Sequence, residues 1–248
     1  MKKIENIAYM ESPEQSQYLD LYLPDGKSFP VFVYFHGGGL EAGDKSHEKV
    51  DYEYLATQGI AVVTANYRMY PEAHYPDFLE DASAAIKWTI GHISEYGKPT
   101  GIYVGGTSAG GYISMMLCFD GKWLSSAGVD GGMIAGWVHD AGQPTVHYNV
   151  LRERKVDTRR VIVDDAAPLY HIDGVARYAP MLFIISDNDM QNRYEQTMLT
   201  LSTLKHFGYG EGIVSLKKMH GTHCQYIGKT DECGESIFGK IVAEFIKQ

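Results

Sequence analysis

Gly106-Thr107-Ser108-Ala109-Gly110 decides how this chain is read. It follows the apolar run Ile102-Tyr103-Val104 and leads into Tyr112-Ile113-Ser114-Met115-Met116-Leu117, a helix-compatible stretch. Strand, sharp turn and helix around G-x-S-x-G lift a serine hydroxyl above the edge of a sheet, and the glycines make room for the crowded backbone. A second glycine-rich segment, His36-Gly37-Gly38-Gly39, also directly follows an apolar run, Val31-Phe32-Val33-Tyr34-Phe35. A nucleophile turn and a separate loop of backbone donors are the two halves of an acyl-transfer site. Ser108 is therefore the candidate nucleophile. The N–H of Ala109, at a helix start, is one candidate oxyanion donor, and those of Gly38 and Gly39 are the others. His36 is expected to pin the glycine loop by hydrogen bonding.

Working outward, apolar runs alternate with amphipathic stretches. The segment 18–23 alternates and ends at Pro24-Asp25-Gly26, so it reads as an early antiparallel strand. Continuous apolar runs at 31–35, 60–65 and 181–185 read as strands buried on both faces, with weaker ones at 133–138 and 213–216. Residues 52–57, 77–93, 194–207 and 237–246 read as helices; Phe78, Ala82, Ala85, Ile86 and Ile90 have helical spacing. This alternation implies an α/β protein with a mostly parallel sheet and helices on both faces, its site at the carboxyl ends of the strands.

The bulk figures exclude other classes. The chain of 248 residues carries 44% hydrophobic and 21% charged residues, enough for one sizeable globular domain. A net charge of −9 argues against nucleic acid or an anionic membrane as the main partner. No apolar run approaches a membrane span, and Glu5, Glu11 and Glu14 interrupt any secretory leader. Three cysteines, Cys118, Cys224 and Cys233, suit a reducing cytoplasm better than a disulfide framework. His220 and His223 have no Glu between them and no evident third partner, so no metal is expected.

The chain resembles the α/β-hydrolase superfamily, in particular its hormone-sensitive-lipase-like esterases and the small bacterial carbohydrate esterases. The motifs are His36-Gly37-Gly38-Gly39, Asn66-Tyr67-Arg68-Met69-Tyr70-Pro71-Glu72, Tyr75-Pro76 and Gly106-Thr107-Ser108-Ala109-Gly110-Gly111. Asn66 stands where the family's middle motif has Asp, Met69-Tyr70 replaces Leu-Ala, and Thr107 stands where many members have Asp. The resemblance implies the α/β-hydrolase fold and the order nucleophile, acid, histidine. For the acid it favours Asp189 over Asp187, both in the loop after Met181-Leu182-Phe183-Ile184-Ile185. For the base it favours His223 over His220.

These readings lead to one domain, 1–248, with a short or absent N-terminal cap and a small excursion at 136–172 as the remaining cover. Leu40, Tyr70, Tyr112 and Trp137 are expected to line the substrate cleft. The activity implied is a serine carboxylesterase acting on small short-acyl esters, acetylated or feruloylated carbohydrates among them, without a cofactor. The expected partner is the small ester itself, and the expected states are cytoplasmic and, beyond the monomer, homodimeric. An arylformamidase is the alternative within hydrolases, and a silent hydrolase fold used for binding is the alternative outside them.

Overall fold

The computed structural model describes residues 1–14 and 16–248. Its frame is an eight-stranded sheet of β1 (Lys2–Ala8), β2 (Tyr18–Leu23), β3 (Ser28–Phe35), β4 (Ala61–Ala65), β5 (Lys98–Thr107), β6 (Ile134–Asp140), β7 (Met181–Ser186) and β8 (Val214–Met219). The spatial order is β1-β2-β4-β3-β5-β6-β7-β8. β2 runs antiparallel to both of its neighbours, and β3 to β8 are parallel. The order reverses at β3, which has β4 on one side and β5 on the other. A crevice therefore opens at the carboxyl ends of β3 and β5, where Phe35 is opposite Gly106. Both glycine motifs leave the sheet at this place.

Helices cover both faces. On one face, Val31, Val33 and Phe35 pack with Phe78, Ile86, Ile113 and Met116. These come from α2 (Asp77–His92) and α3 (Ala109–Phe119), α1 being Lys49–Thr57. On the other face, Phe32 and Tyr34 pack with Tyr52 and Leu55 of α1 and with Phe238 and Val242 of α7 (Ile237–Ile246). The shorter α4 (Lys122–Ser126) and α5 (Tyr148–Glu153) and the longer α6 (Arg193–His206) complete the order. Alternate residues of β3 thus enter opposite apolar cores, which is why the strand reads as an unbroken apolar run.

The segment expected as an excursion, 136–172, begins inside the sheet, because residues 136–140 are the end of β6. Trp137 accordingly lies at the level of Met181, the first residue of β7, and is 4% exposed. Its expected place along the cleft is corrected: it packs in the core, below the carboxyl edge. The covering segment starts at Ala141 and carries α5. None of the described helices is long and apolar enough to cross a membrane.

Packing in this frame leaves no room for a side chain at Gly110, where a Cβ would lie 1.9 Å from the Phe35 carbonyl oxygen. Relief requires a shift of backbone on β3 or α3. Gly110→Ala is expected to lower stability by about 3 kcal/mol or more, read as a fall in the urea midpoint at unchanged slope.

Candidate active site

Ser108 is held in the left-handed region, with φ 55° and ψ −107°, between the end of β5 and the start of α3. Its N–H donates to the Asp140 carbonyl at 2.8 Å, and its own carbonyl accepts from Tyr112 N at 2.9 Å as the first bond of α3. The Ala109 N–H is left at the open end of that helix, outside the intrahelical ladder.

The His36–Gly39 loop lies directly beside this turn: a Cβ on Gly37 would sit 3.4 Å from the Ser108 Cβ. Gly38 and Gly39 have φ of +114° and +67°, conformations that side chains resist. The Gly38 carbonyl turns away, accepting from Glu41 N at 3.2 Å and Ala42 N at 3.0 Å. His36 is 1% exposed, donates from Nδ1 to the Gly37 carbonyl at 2.7 Å and stacks on Tyr67 with centroids 4.5 Å apart. The Tyr67 hydroxyl in turn donates to the His36 carbonyl at 2.9 Å. Burial lowers the His36 pKa to about 4, so its ring is neutral and serves as a strut.

The loops after β7 and β8 bring the remaining groups. His223 Nε2 is 2.9 Å from Ser108 Oγ, and His223 Nδ1 is 2.6 Å from Asp189 Oδ1. The Asp189 side chain is fully buried and that of His223 is 23% exposed. A neutral imidazole with its proton on Nδ1 donates to Asp189 and accepts the serine hydroxyl, the arrangement a general base requires. Asp187 and His220 pair with each other instead, at 2.7 Å, and the His220 side chain is 97% exposed. Asp187 also accepts from Gly221 N at 3.0 Å, and these two bonds hold its pKa below the usual carboxylate range. Neither of this second pair bonds to Ser108.

The expected cleft residues divide. Leu40 and Tyr112 have no exposure. The Leu40 carbonyl accepts from Tyr70 N at 2.8 Å, and the Tyr112 hydroxyl donates to the Ala166 carbonyl at 2.8 Å. Both are structural, a correction to the cleft-lining expectation: Tyr112 lies on α3, every residue of which is buried, and Leu40 is enclosed in the core beside the glycine loop. Tyr70 is half-buried, its hydroxyl 2.5 Å from Glu153 on α5.

Sequence reasoning missed the part α5 plays. Asn149 is 1% exposed and its Nδ2 donates to the Gly39 carbonyl. The Tyr148 hydroxyl lies 2.0 Å from where a Gly39 Cβ would be, so α5 rests on the oxyanion loop. Arg152 reinforces the contact through Glu41 at 2.7 Å. Arg193, 4% exposed at the start of α6, donates to the Ala141 carbonyl, and burial pulls its pKa down. A six-residue helix without amphipathic period left no signal to find α5; the unspent cue was Tyr148-Asn149 among basic residues.

Sheet order, crevice and turn have their counterparts in known structures. This chain overlays a truncated carbohydrate esterase from gut microbiota with a TM-score of 0.79 at 18% identity, covering 100% of this chain and 95% of that one. It overlays the Thermogutta terrifontis esterase Est2 with a TM-score of 0.75 at 21% identity, covering 98% and 91%. The chain has the α/β-hydrolase fold. Within that fold, a BD-FAE family model matches residues 19–127, from β2 past the nucleophile turn. Among curated proteins, Esterase LipI of Mycobacterium tuberculosis is 40% identical over 96 residues, 38% of this chain and 30% of its own. Para-nitrobenzyl esterase of Bacillus subtilis is 38% identical over 124 residues, 43% of this chain and 25% of its own. The chain thus spans a third or less of the length of these relatives.

Two outcomes follow from the hydrolase geometry. Asp189→Asn should lower turnover by roughly 10⁴-fold through loss of the correct tautomer, and Asp187→Asn by far less, in steady-state assays at pH 8. The second concerns His36. Its folded pKa is depressed from 6.5 to about 4, so the unfolded chain binds more protons between those values. Stability present above pH 6.5 is therefore lost as pH falls toward 4, by on the order of 3 kcal/mol. Urea unfolding of His36→Gln across that window should show a flatter pH slope than the wild type.

Proposed function

We propose that the protein is a serine carboxylesterase acting on small, short-acyl esters. The observation that carries the reading is the unbroken hydrogen-bond chain Ser108–His223–Asp189, at 2.9 and 2.6 Å, beside a loop whose glycines present backbone N–H groups. The esterase names of LipI and para-nitrobenzyl esterase support the same chemistry. Ser108 Oγ attacks the ester carbonyl carbon while His223 Nε2 takes the hydroxyl proton. The carbonyl oxygen becomes an oxyanion held by the N–H groups of Gly38, Gly39 and Ala109. The tetrahedral intermediate collapses, the C–O bond to the alcohol breaks, and His223 hands its proton to the departing oxygen. Water, deprotonated by His223, then attacks the acyl-serine, and a second collapse releases the acid and restores Ser108. Asp189 accepts from His223 Nδ1 and stabilises the imidazolium.

Tyr148 and Asn149 both pack against Gly39, leaving little space beside it, which favours a compact acyl group over a long chain. Acetylated carbohydrates are the substrate class we favour. The support is the printed description of the structural neighbour as a carbohydrate esterase, together with a cleft rim carrying Tyr70, Tyr148 and Glu153. Sugar hydroxyls can exchange hydrogen bonds with such groups.

A fluorophosphonate probe should label the wild-type protein stoichiometrically and leave Ser108→Ala unlabelled; equal labelling of both would refute the nucleophile. Across p-nitrophenyl acetate, butyrate and octanoate, kcat/KM should fall with chain length. Acetylated xylo-oligosaccharides should be turned over faster than N-formylkynurenine, and the opposite ranking would move the reading to an arylformamidase.

A further inference from the structure

The last residue of β6, Asp140, is fully buried and bonds to both the nucleophile turn and the histidine loop. Its Oδ2 accepts from Thr107 Oγ1 at 2.7 Å, the residue immediately before the nucleophile. Its Oδ1 accepts from the hydroxyl of Tyr226, three residues beyond His223. Its backbone carbonyl accepts from Ser108 N at 2.8 Å. The next residue, Ala141, is itself in the left-handed region with φ 48°, and its carbonyl accepts from Arg193, four residues beyond Asp189. One short stretch of backbone and one carboxyl thus join the nucleophile turn, the histidine loop and the acid loop. Simple packing would not select such a group, because a buried carboxyl is expensive to desolvate and an apolar residue would fill the place at less cost.

We propose that Asp140 is a positioning residue for the Ser108 chemistry: it fixes the nucleophile turn and the histidine loop relative to each other, so that Ser108 Oγ and His223 Nε2 stay within bonding reach. It touches neither substrate nor reacting atoms. The inference rests on the esterase reading. It also explains a departure in the sequence: Thr107 stands where similar proteins often carry Asp before the nucleophile, and here the neighbouring strand supplies the carboxyl that Thr107 binds. The charged and titratable groups around Asp140 are Tyr226, Asp189, Asp51, Tyr34 and Cys224. Burial pushes Asp140 up to about 7, with Asp189 and Asp51 adding to the rise and the bonds from Tyr226 and Thr107 opposing it.

The test compares Asp140→Asn, Tyr226→Phe and Thr107→Val with the wild type by circular dichroism, p-nitrophenyl acetate kinetics and the rate of fluorophosphonate labelling. Folded Asp140→Asn should lose roughly 10²-fold in kcat and in labelling rate, with KM within about threefold, as misplacement of reacting groups by a fraction of an ångström does. The acid limb of its kcat/KM profile should move to lower pH and become less steep, because protonation of Asp140 no longer adds to that of the base. Tyr226→Phe and Thr107→Val remove single hydroxyls and keep the test open where Asp140→Asn does not fold; each should lower kcat, and together by less than the product of the two. Folded variants with wild-type kcat and an unmoved acid limb would overturn the inference. So would activity losses that only track the folded fraction. A wild-type protein that does not label would instead refute the esterase reading itself.

Discussion

The structure depends on one backbone constraint, the left-handed turn at Ser108, φ 55° and ψ −107°. A non-glycine residue there costs on the order of 1–3 kcal/mol and persists only where its surroundings over-determine it. They do so from three sides. Before the turn, β5 is hydrogen-bonded on both edges, to β3 and β6. Across it, the Asp140 carbonyl accepts the Ser108 N–H. After it, every residue of α3 is buried, and Gly110 sits against the Phe35 carbonyl with no room for a side chain. Because β3 is the strand in that contact, the same packing that strains the turn also sets the distance to the His36–Gly39 loop. The Ser108 turn and the His36–Gly39 loop are thus one packed unit, and preorganised dipoles stabilise a developing charge only when they need not move.

Burial sorts the histidines around that unit. His36 and His139 are each 1% exposed, and desolvation lowers them to about 4 and about 3, so neither is charged at neutral pH. His36 braces the glycine loop, and His139 bonds to Ser114 within the core. His220, nearly fully exposed, pairs with Asp187 and has no bond to Ser108. His223 alone combines partial access to solvent with a buried carboxylate behind one nitrogen and a serine hydroxyl before the other.

Much of this was legible in the sequence. Strands buried on both faces read as continuous apolar runs, so β3, β4, β5 and β7 declared themselves. The first strand, with its two lysines, and β8, with Lys217 and Lys218 exposed at the sheet edge, gave little or no such run. Asp187 and Asp189 are harder, because they are two residues apart in one loop and equal in type. Position along the chain cannot tell which side chain turns inward; a fully buried carboxylate against His223 and a partly exposed one against His220 can. Tyr112 and Trp137 misled for a related reason. An aromatic residue next to a motif reads as cleft lining, but α3 and β6 are enclosed on all sides. Asp140 left no trace, since its meaning lies in bonds to residues 33 and 86 positions away.

The covering segment after β6 is bound to the machinery as well as placed above it. Asn149 bonds the Gly39 carbonyl, Arg152 bonds Glu41 in the same loop, and Glu153 bonds the Tyr70 hydroxyl. In many enzymes substrate-lining segments and charge-stabilising loops are separable, so a changed rim alters binding alone. Here a change in α5 moves the Gly39 carbonyl, in the peptide next to the one whose N–H is proposed as an oxyanion donor. Interactions realised only in the transition state govern turnover, so variation in α5 should appear in kcat as well as in KM. On the esterase reading, acyl preference and catalytic rate are therefore coupled through a single six-residue helix.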